Sequence, residues 1–191
     1  MANADKYIYQ CIFGAIIKDN YVYVSSYLGA VSAIDKATGK IAWTGGGLFT
    51  TMLVTSSNII CYFDLDNNLC ASNASDGSIR WKVPGVRDYA HITVEGQRLI
   101  VTGGRPGPNY KYLVYSVNAQ DGSLLWQKEV SVPNEWPVAV GNSLYVYNTT
   151  TSTIVILDAA TGNLKDSIPL NCSSYGFCEI VTTSGDLVTS N

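Results

Sequence analysis

The chain has 191 residues, 47% of them apolar and only 14% charged, with a net charge of −3. That length suits one domain with a real core, and the scattered Lys and Arg exclude the concentrated basic face that nucleic-acid binding needs. No apolar run approaches the ~18–20 residues of a membrane-spanning helix, and Met1-Ala-Asn-Ala-Asp5 lacks the basic-then-apolar pattern of a secretion signal.

The first segment with strand character is Ala4-Asp5-Lys-Tyr-Ile-Tyr9, which reads as a turn and a closing strand without the usual glycine. Short, β-branched and aromatic-rich runs follow at Ala15–Ile17, Tyr21–Val24, Leu28–Ile34 and Lys40–Trp43. The same order returns from Met52–Val54 and Ile59–Phe63 to Trp81, and from Ile92–Val94 through Leu99–Val101 and Tyr112–Val117 to Leu124–Trp126. It returns once more at Val138–Val140 and Leu144–Tyr147, and Phe177–Val181 and Asp186–Thr189 open a fifth unit. An aromatic stands ahead of each first strand, at Phe13, Phe49, Tyr89, Trp136 and Phe177.

One phrase marks the end of each unit. It runs Ala33-Ile-Asp35-Lys-Ala-Thr38-Gly39-Lys-Ile-Ala-Trp43, then Ala71-Ser-Asn73-Ala-Ser-Asp76-Gly77-Ser-Ile-Arg-Trp81. It returns as Ser116-Val-Asn118-Ala-Gln-Asp121-Gly122-Ser-Leu-Leu-Trp126, and fades as Ile156-Leu-Asp158-Ala-Ala-Thr161-Gly162-Asn-Leu-Lys-Asp166. Repetition at this period means stacked supersecondary units, and the glycine supplies the positive φ of a hairpin turn. Four strands per unit is the content of a propeller blade.

The phrase resembles the tryptophan-docking repeat of the quinoprotein (pyrroloquinoline-quinone-dehydrogenase-like) propellers, whose pattern is Ala-x-Asp-x-x-Thr-Gly-x-x-x-Trp. The resemblance implies an all-β propeller of four-stranded antiparallel blades, with Trp43, Trp81 and Trp126 packing against the adjoining blade. The expected organisation is one domain over residues 1–191, with repeats at roughly 13–48, 49–88, 89–135 and 136–174 and a partial blade from 175–191 plus 1–12. A ring of five blades, one shared between the termini, is the favoured reading. Four blades and a remnant forming half of a larger ring is the alternative.

The resemblance also raises a quinone dehydrogenase, whose site would want adjacent cysteines, a calcium held by Glu, Asn or Asp, and a catalytic Asp. Cys11, Cys61, Cys70, Cys172 and Cys178 include no adjacent pair. No catalytic residue, cofactor or metal is therefore expected. Asp64-x-Asp66-x-Asn68 opens like a calcium loop, but Leu69 and Ser75 stand where such a loop needs Gly and Glu, so a polar hairpin tip is the better reading. Candidate binding residues are His91, the single histidine, with Glu179 at the equivalent position of the fifth unit. Arg105, Asn109, Tyr110 and Lys111 join them from the insertion Gly103–Lys111, because insertions in repeats map to loops and often to binding faces; a tolerated hairpin extension is the plainer reading of the same segment. The expected function is a non-catalytic propeller binding a protein partner, or self-associating through blade edges. A small-ligand or glycan binder using the ring of aromatics is the alternative, and a fragment of a quinone-dependent dehydrogenase the less favoured one.

Overall fold

A computed structural model describes residues 12–26, 30–46, 53–54, 57–84, 88–105, 111–130, 137–148, 150–170, 179–183 and 186–190. Every regular element among them is a strand. Ile12–Lys18 (β1), Tyr21–Ser26 (β2), Ala30–Asp35 (β3) and Ile41–Gly46 (β4) make one antiparallel sheet in chain order. Leu53–Val54 (β5), Ile59–Phe63 (β6), Asn68–Asn73 (β7) and Ile79–Pro84 (β8) make the second. Asp88–Glu95 (β9), Arg98–Arg105 (β10), Lys111–Asn118 (β11) and Leu124–Val130 (β12) make the third. Val138–Val140 (β13), Ser143–Asn148 (β14), Thr153–Asp158 (β15) and Leu164–Pro169 (β16) make the fourth, and Glu179–Thr183 (β17) pairs with Asp186–Ser190 (β18).

Burial explains the composition of the middle strands. All five residues of β6 are buried, as are Leu69–Ser72 of β7. A strand covered on both faces reads as a continuous apolar run rather than an alternation. The outer strands are more exposed: β4 and β12 alternate between half-buried and exposed residues, and β16 is exposed throughout.

The chain packs as two compact units. One comprises Met1–Gly85 with the Ala119–Gly122 turn, the other Val86–Asn118 with Ser123–Asn191. The core of the first gathers Tyr23, Val31 and Ala33 from the first sheet with Ile60, Tyr62, Cys70 and Ala74 from the second. In the second unit Ile100 and Val114 of the third sheet meet Leu144, Val146, Leu157 and Ala159 of the fourth. Buried hydroxyls are paired in the first unit: Ser32 Oγ lies 3.0 Å from Thr44 Oγ1, and Tyr62 OH 3.0 Å from Ser72 Oγ.

In three of its four copies the repeated phrase builds a turn closed by the same backbone bond from its glycine. Gly39 N–H donates to Asp35 O at 2.9 Å, Gly77 N–H to Asn73 O at 2.9 Å and Gly162 N–H to Asp158 O at 2.8 Å. The side chain opening the phrase caps the turn. Asp35 Oδ1 accepts from Ala37 N–H, Thr38 N–H and the Thr38 hydroxyl at 2.8–3.1 Å, and Asp158 Oδ1 does the same for residues 160 and 161. The hydroxyl of Thr38, then its amide, holds the Asp35 carboxyl below the ordinary carboxylate range.

Beyond the turn each outer strand carries a β-bulge. Pairing slips between Ala33 and Ile34, Ala71 and Ser72, Ser116 and Val117, and Ile156 and Leu157. Such a bulge re-aims the side chain that follows, and in three sheets that side chain is tryptophan.

Each indole reaches the turn of the next sheet. Trp43 Nε1–H donates to Ala74 O, Trp81 Nε1–H to Ala119 O and Trp126 Nε1–H to Ala159 O, all at 3.0 Å. The acceptor is free to face the indole because the amide of the same alanine is held within its own sheet. Ala74 N–H donates to Asn58 O at 3.0 Å and Ala159 N–H to Asn142 O at 3.2 Å.

The ring then lies on the turn glycine. A Cβ built on Gly77 would stand 2.6 Å from the Trp43 ring, one on Gly122 2.7 Å from the Trp81 ring, and one on Gly162 2.6 Å from the Trp126 ring. The glycine is therefore required twice, for φ values of 71–73° and for the indole it carries.

Two substitutions separate these terms. Trp81→Ala should cost about 3–5 kcal/mol, as for other large buried aromatics, read as a drop in denaturant midpoint at constant slope. Gly122→Ala should cost clearly more than Gly96→Ala. Gly96 also has positive φ, 58°, but no described residue lies within 4 Å of its Cβ position. Equal losses for the two would mean that the indole contact contributes nothing.

Candidate functional site

His91 lies on β9 directly opposite Thr102 of β10. The Thr102 hydroxyl is fully buried and has no hydrogen-bond partner among the described residues. Burial pushes the histidine pKa down from 6.5 to about 4, so the ring is neutral at physiological pH. Glu179 opens β17, and its side chain lies outside the described residues.

The insertion after β10 is a lengthened hairpin. Gly103 pairs with Leu113, Gly104 with Tyr112 and Arg105 with Lys111, which confines the connection to residues 106–110. Arg105 and Lys111 thus stand opposite each other at the hairpin's end, while Asn109 and Tyr110 lie outside the described residues. The structure places His91 and Arg105 on neighbouring strands of the third sheet.

The Asp64–Asn68 tip serves its own hairpin. Asp64 Oδ1 accepts from Asp66 N–H, Asn68 N–H and Asn68 Nδ2–H at 2.9–3.0 Å, and Lys82 Nζ sits 2.5 Å from Asp64 Oδ2. Burial would raise this carboxyl, but Lys82 and Asn68 together hold it below the ordinary range. An ammonium thus stands where a cation would have to sit. No group of three or more His, Cys, Asp or Glu suited to a metal occurs among the described residues.

Nearby Cys61 and Cys70 are buried free thiols. Burial first, then charge interaction with the neighbouring thiol or with Asp64, pushes both up to about 12. They are inert rather than nucleophilic at neutral pH.

In the second unit a cavity of about 290 Å³ opens beside β12, β14, β15 and β16. It is lined chiefly by Val130, Val146, Val155, Leu157 and Leu164. Lys128, also in its wall, donates from Nζ to Gly162 O at 3.2 Å. Glu129, Tyr147, Asn148 and Ser167 complete its wall beside the apolar residues.

Sequence reasoning passed over the outer strands. Ile79, Leu124 and Leu164 are 59–62% exposed, and each stands two residues after its turn glycine. The signal was legible as an aliphatic at one position of the repeated phrase.

The histidine gives the site its pH dependence. The unfolded chain takes up a proton near pH 6.5, the folded chain only near 4. Stability present above 6.5 should therefore be lost progressively as pH falls toward 4, with no further loss from this group below that. His91→Gln should flatten this part of a stability–pH curve measured by denaturant unfolding. An unchanged slope would contradict the burial of the ring.

The family model described as outer membrane protein assembly factor BamB matches residues 10–168 and again 110–189. The BamB of Moranella endobia (strain PCIT) is 31% identical over 119 residues, a match covering 61% of this chain and 29% of that protein. The BamB of Legionella pneumophila (strain Paris) is 27% identical over 134 residues, 69% of this chain and 33% of that protein. The chain thus spans about a third of the length of these relatives. The crystal structure of BamB from Moraxella catarrhalis superposes with a TM-score of 0.71 at 18% identity, covering 93% of this chain and 57% of that one. At this identity the structural likeness speaks for the fold: the four-stranded sheets are blades of a β-propeller. The blade phrase, the sheet topology and the match over residues 10–168 agree, and the chain belongs to the family described as outer membrane protein assembly factor BamB.

Proposed function

We propose that this chain is a non-catalytic propeller module that binds protein partners during the assembly of outer-membrane proteins. The observation that carries the reading is the family match over residues 10–168, whose named relatives are assembly factors. The chemistry of the repeat supports it. The residues recurring from blade to blade are used for turn capping and indole docking, and burial keeps the thiols of Cys61 and Cys70 protonated rather than nucleophilic at neutral pH.

The outer strands provide a binding surface. β8, β12 and β16 each end a sheet and so offer unpaired backbone groups of the kind an added strand can use. Each also presents an exposed aliphatic, Ile79, Leu124 or Leu164. A strand laid along such an edge would take its affinity from the backbone and its anchor from that side chain.

Binding of the purified chain to unfolded outer-membrane β-barrel polypeptide, and to the other components of an outer-membrane assembly machinery, tests the proposal. Saturable binding is expected, weakened at least about tenfold, the equivalent of ~1.4 kcal/mol, by Ile79→Lys, Leu124→Lys and Leu164→Lys combined. Failure to bind any of these, together with dye-linked turnover of an alcohol in the presence of a quinone cofactor and calcium, would overturn it.

A further inference from the structure

The second and third sheets each bury a tyrosine at a place where the fourth has only valine. The residue opening each turn pairs with a residue of its sheet's second strand: Asn73 with Ile59, Asn118 with Arg98, Asp158 with Ser143. Three residues further along that strand the pairs are Tyr62 with Cys70, Val101 with Tyr115 and Val146 with Val155. Tyr62 and Tyr115 are buried together with their partners Cys70 and Val101. Val155 is only half-buried.

The first unit shows where such a ring goes. Tyr62 joins the core with Tyr23, Val31 and Ala33 of the preceding sheet. Its hydroxyl lies 3.0 Å from Ser72 Oγ and 3.5 Å from the Cβ position of Gly45, the residue two after Trp43 on β4. The ring thus fills the space between β4 and the middle of the second sheet. In the second unit the residue two after Trp126 is Lys128 on β12. The space between Lys128 and the Val146–Val155 pair is the cavity of about 290 Å³. About 150 Å³ of apolar cavity is enough for benzene, so a phenol ring fits with room to enter.

The wall also supplies a complementary charge. Leu157 stands where the second sheet has Ser72, so Lys128 is the donor left for a phenol oxygen. Its ammonium gives one hydrogen bond to Gly162 O at 3.2 Å, and an ammonium carries three donors. β16, which contributes Leu164 and Ser167 to the wall, ends its sheet and is exposed along its length. The cavity therefore opens beside an edge that an extended chain can follow.

We propose that this cavity receives one tyrosine side chain of a partner polypeptide, its ring laid on Val146 and Val155 and its phenol oxygen accepting from Lys128 Nζ. The partner supplies from outside the ring that Tyr62 supplies from within the first unit. That the ring belongs to a polypeptide rests on the protein-binding reading above.

Titration of the full chain with acetyl-Gly-Tyr-Gly-amide, followed by methyl NMR, tests this. The Val146, Val155 and Leu164 methyls should shift saturably. The same peptide with Leu in place of Tyr should bind about tenfold more weakly. Val155→Tyr, which installs the ring in the manner of Tyr115, should abolish the shifts. If that variant fails to fold, Val146→Tyr, in the manner of Tyr62, replaces it. If neither folds, contacts between the peptide's ring protons and the Val146 and Val155 methyls of the unaltered chain decide, and their absence overturns the proposal. Equal binding of the two peptides, or shifts that survive the added ring, would overturn it as well. Saturation by p-cresol but not by the tyrosine peptide would make the cavity a site for small phenols and overturn the polypeptide partner. No outer-membrane polypeptide enters this titration, so its failure is distinct from failure of the binding test above.

Discussion

The fold depends on one contact repeated along the chain: an indole laid on a glycine turn, with its N–H given to a carbonyl three residues before that glycine. Each sheet taken alone is a four-stranded meander with two open edges. Such a sheet buries too little apolar surface for independent stability. The indole fastens it to its successor at a defined place, the tip of the third hairpin. The contact uses both halves of the tryptophan. The ring covers the glycine and the pyrrole edge satisfies a backbone acceptor, so burying the large side chain leaves no polar atom unpaired.

The same contact explains why other residues of the phrase recur. The Asp or Asn that opens the turn holds it rigid, so the acceptor carbonyl is already aimed when the indole arrives. The asparagine of the first hairpin turn, Asn58 or Asn142, binds the amide on the other side of that peptide. The bulge after the turn directs the tryptophan away from its own sheet. These features are worth little alone, and their agreement at each level makes the repeat foldable.

Much of this was legible in the sequence, for physical reasons. Strand periodicity and turn glycines are local, so the four-strand unit could be read from Tyr21–Val24 or Leu124–Trp126 directly. The pairing of Trp43 with Gly77 could be inferred only through the family resemblance, because the two are separated by a complete hairpin. The insertion beyond Gly103 was legible as a hairpin extension from the longer repeat spacing, but how far its ladder runs was not, since its glycines hide the pairing of Gly103 with Leu113. The ion pair of Asp64 was invisible because Lys82, its partner, comes from the next strand but one. Exposure at Ile79, Leu124 and Leu164 was likewise hidden, since an aliphatic in a strand is ordinarily assumed to face the core.

Indole hydrogen exchange followed by NMR reports the docking contact most directly. In native conditions the Nε1–H signals of Trp43, Trp81 and Trp126, assigned by single Trp→Phe substitutions, should exchange far more slowly than free indole. Their protection should fall together as denaturant approaches the unfolding midpoint. Exchange of these three at the free-indole rate in the folded protein would show that the indoles do not hold the blades together.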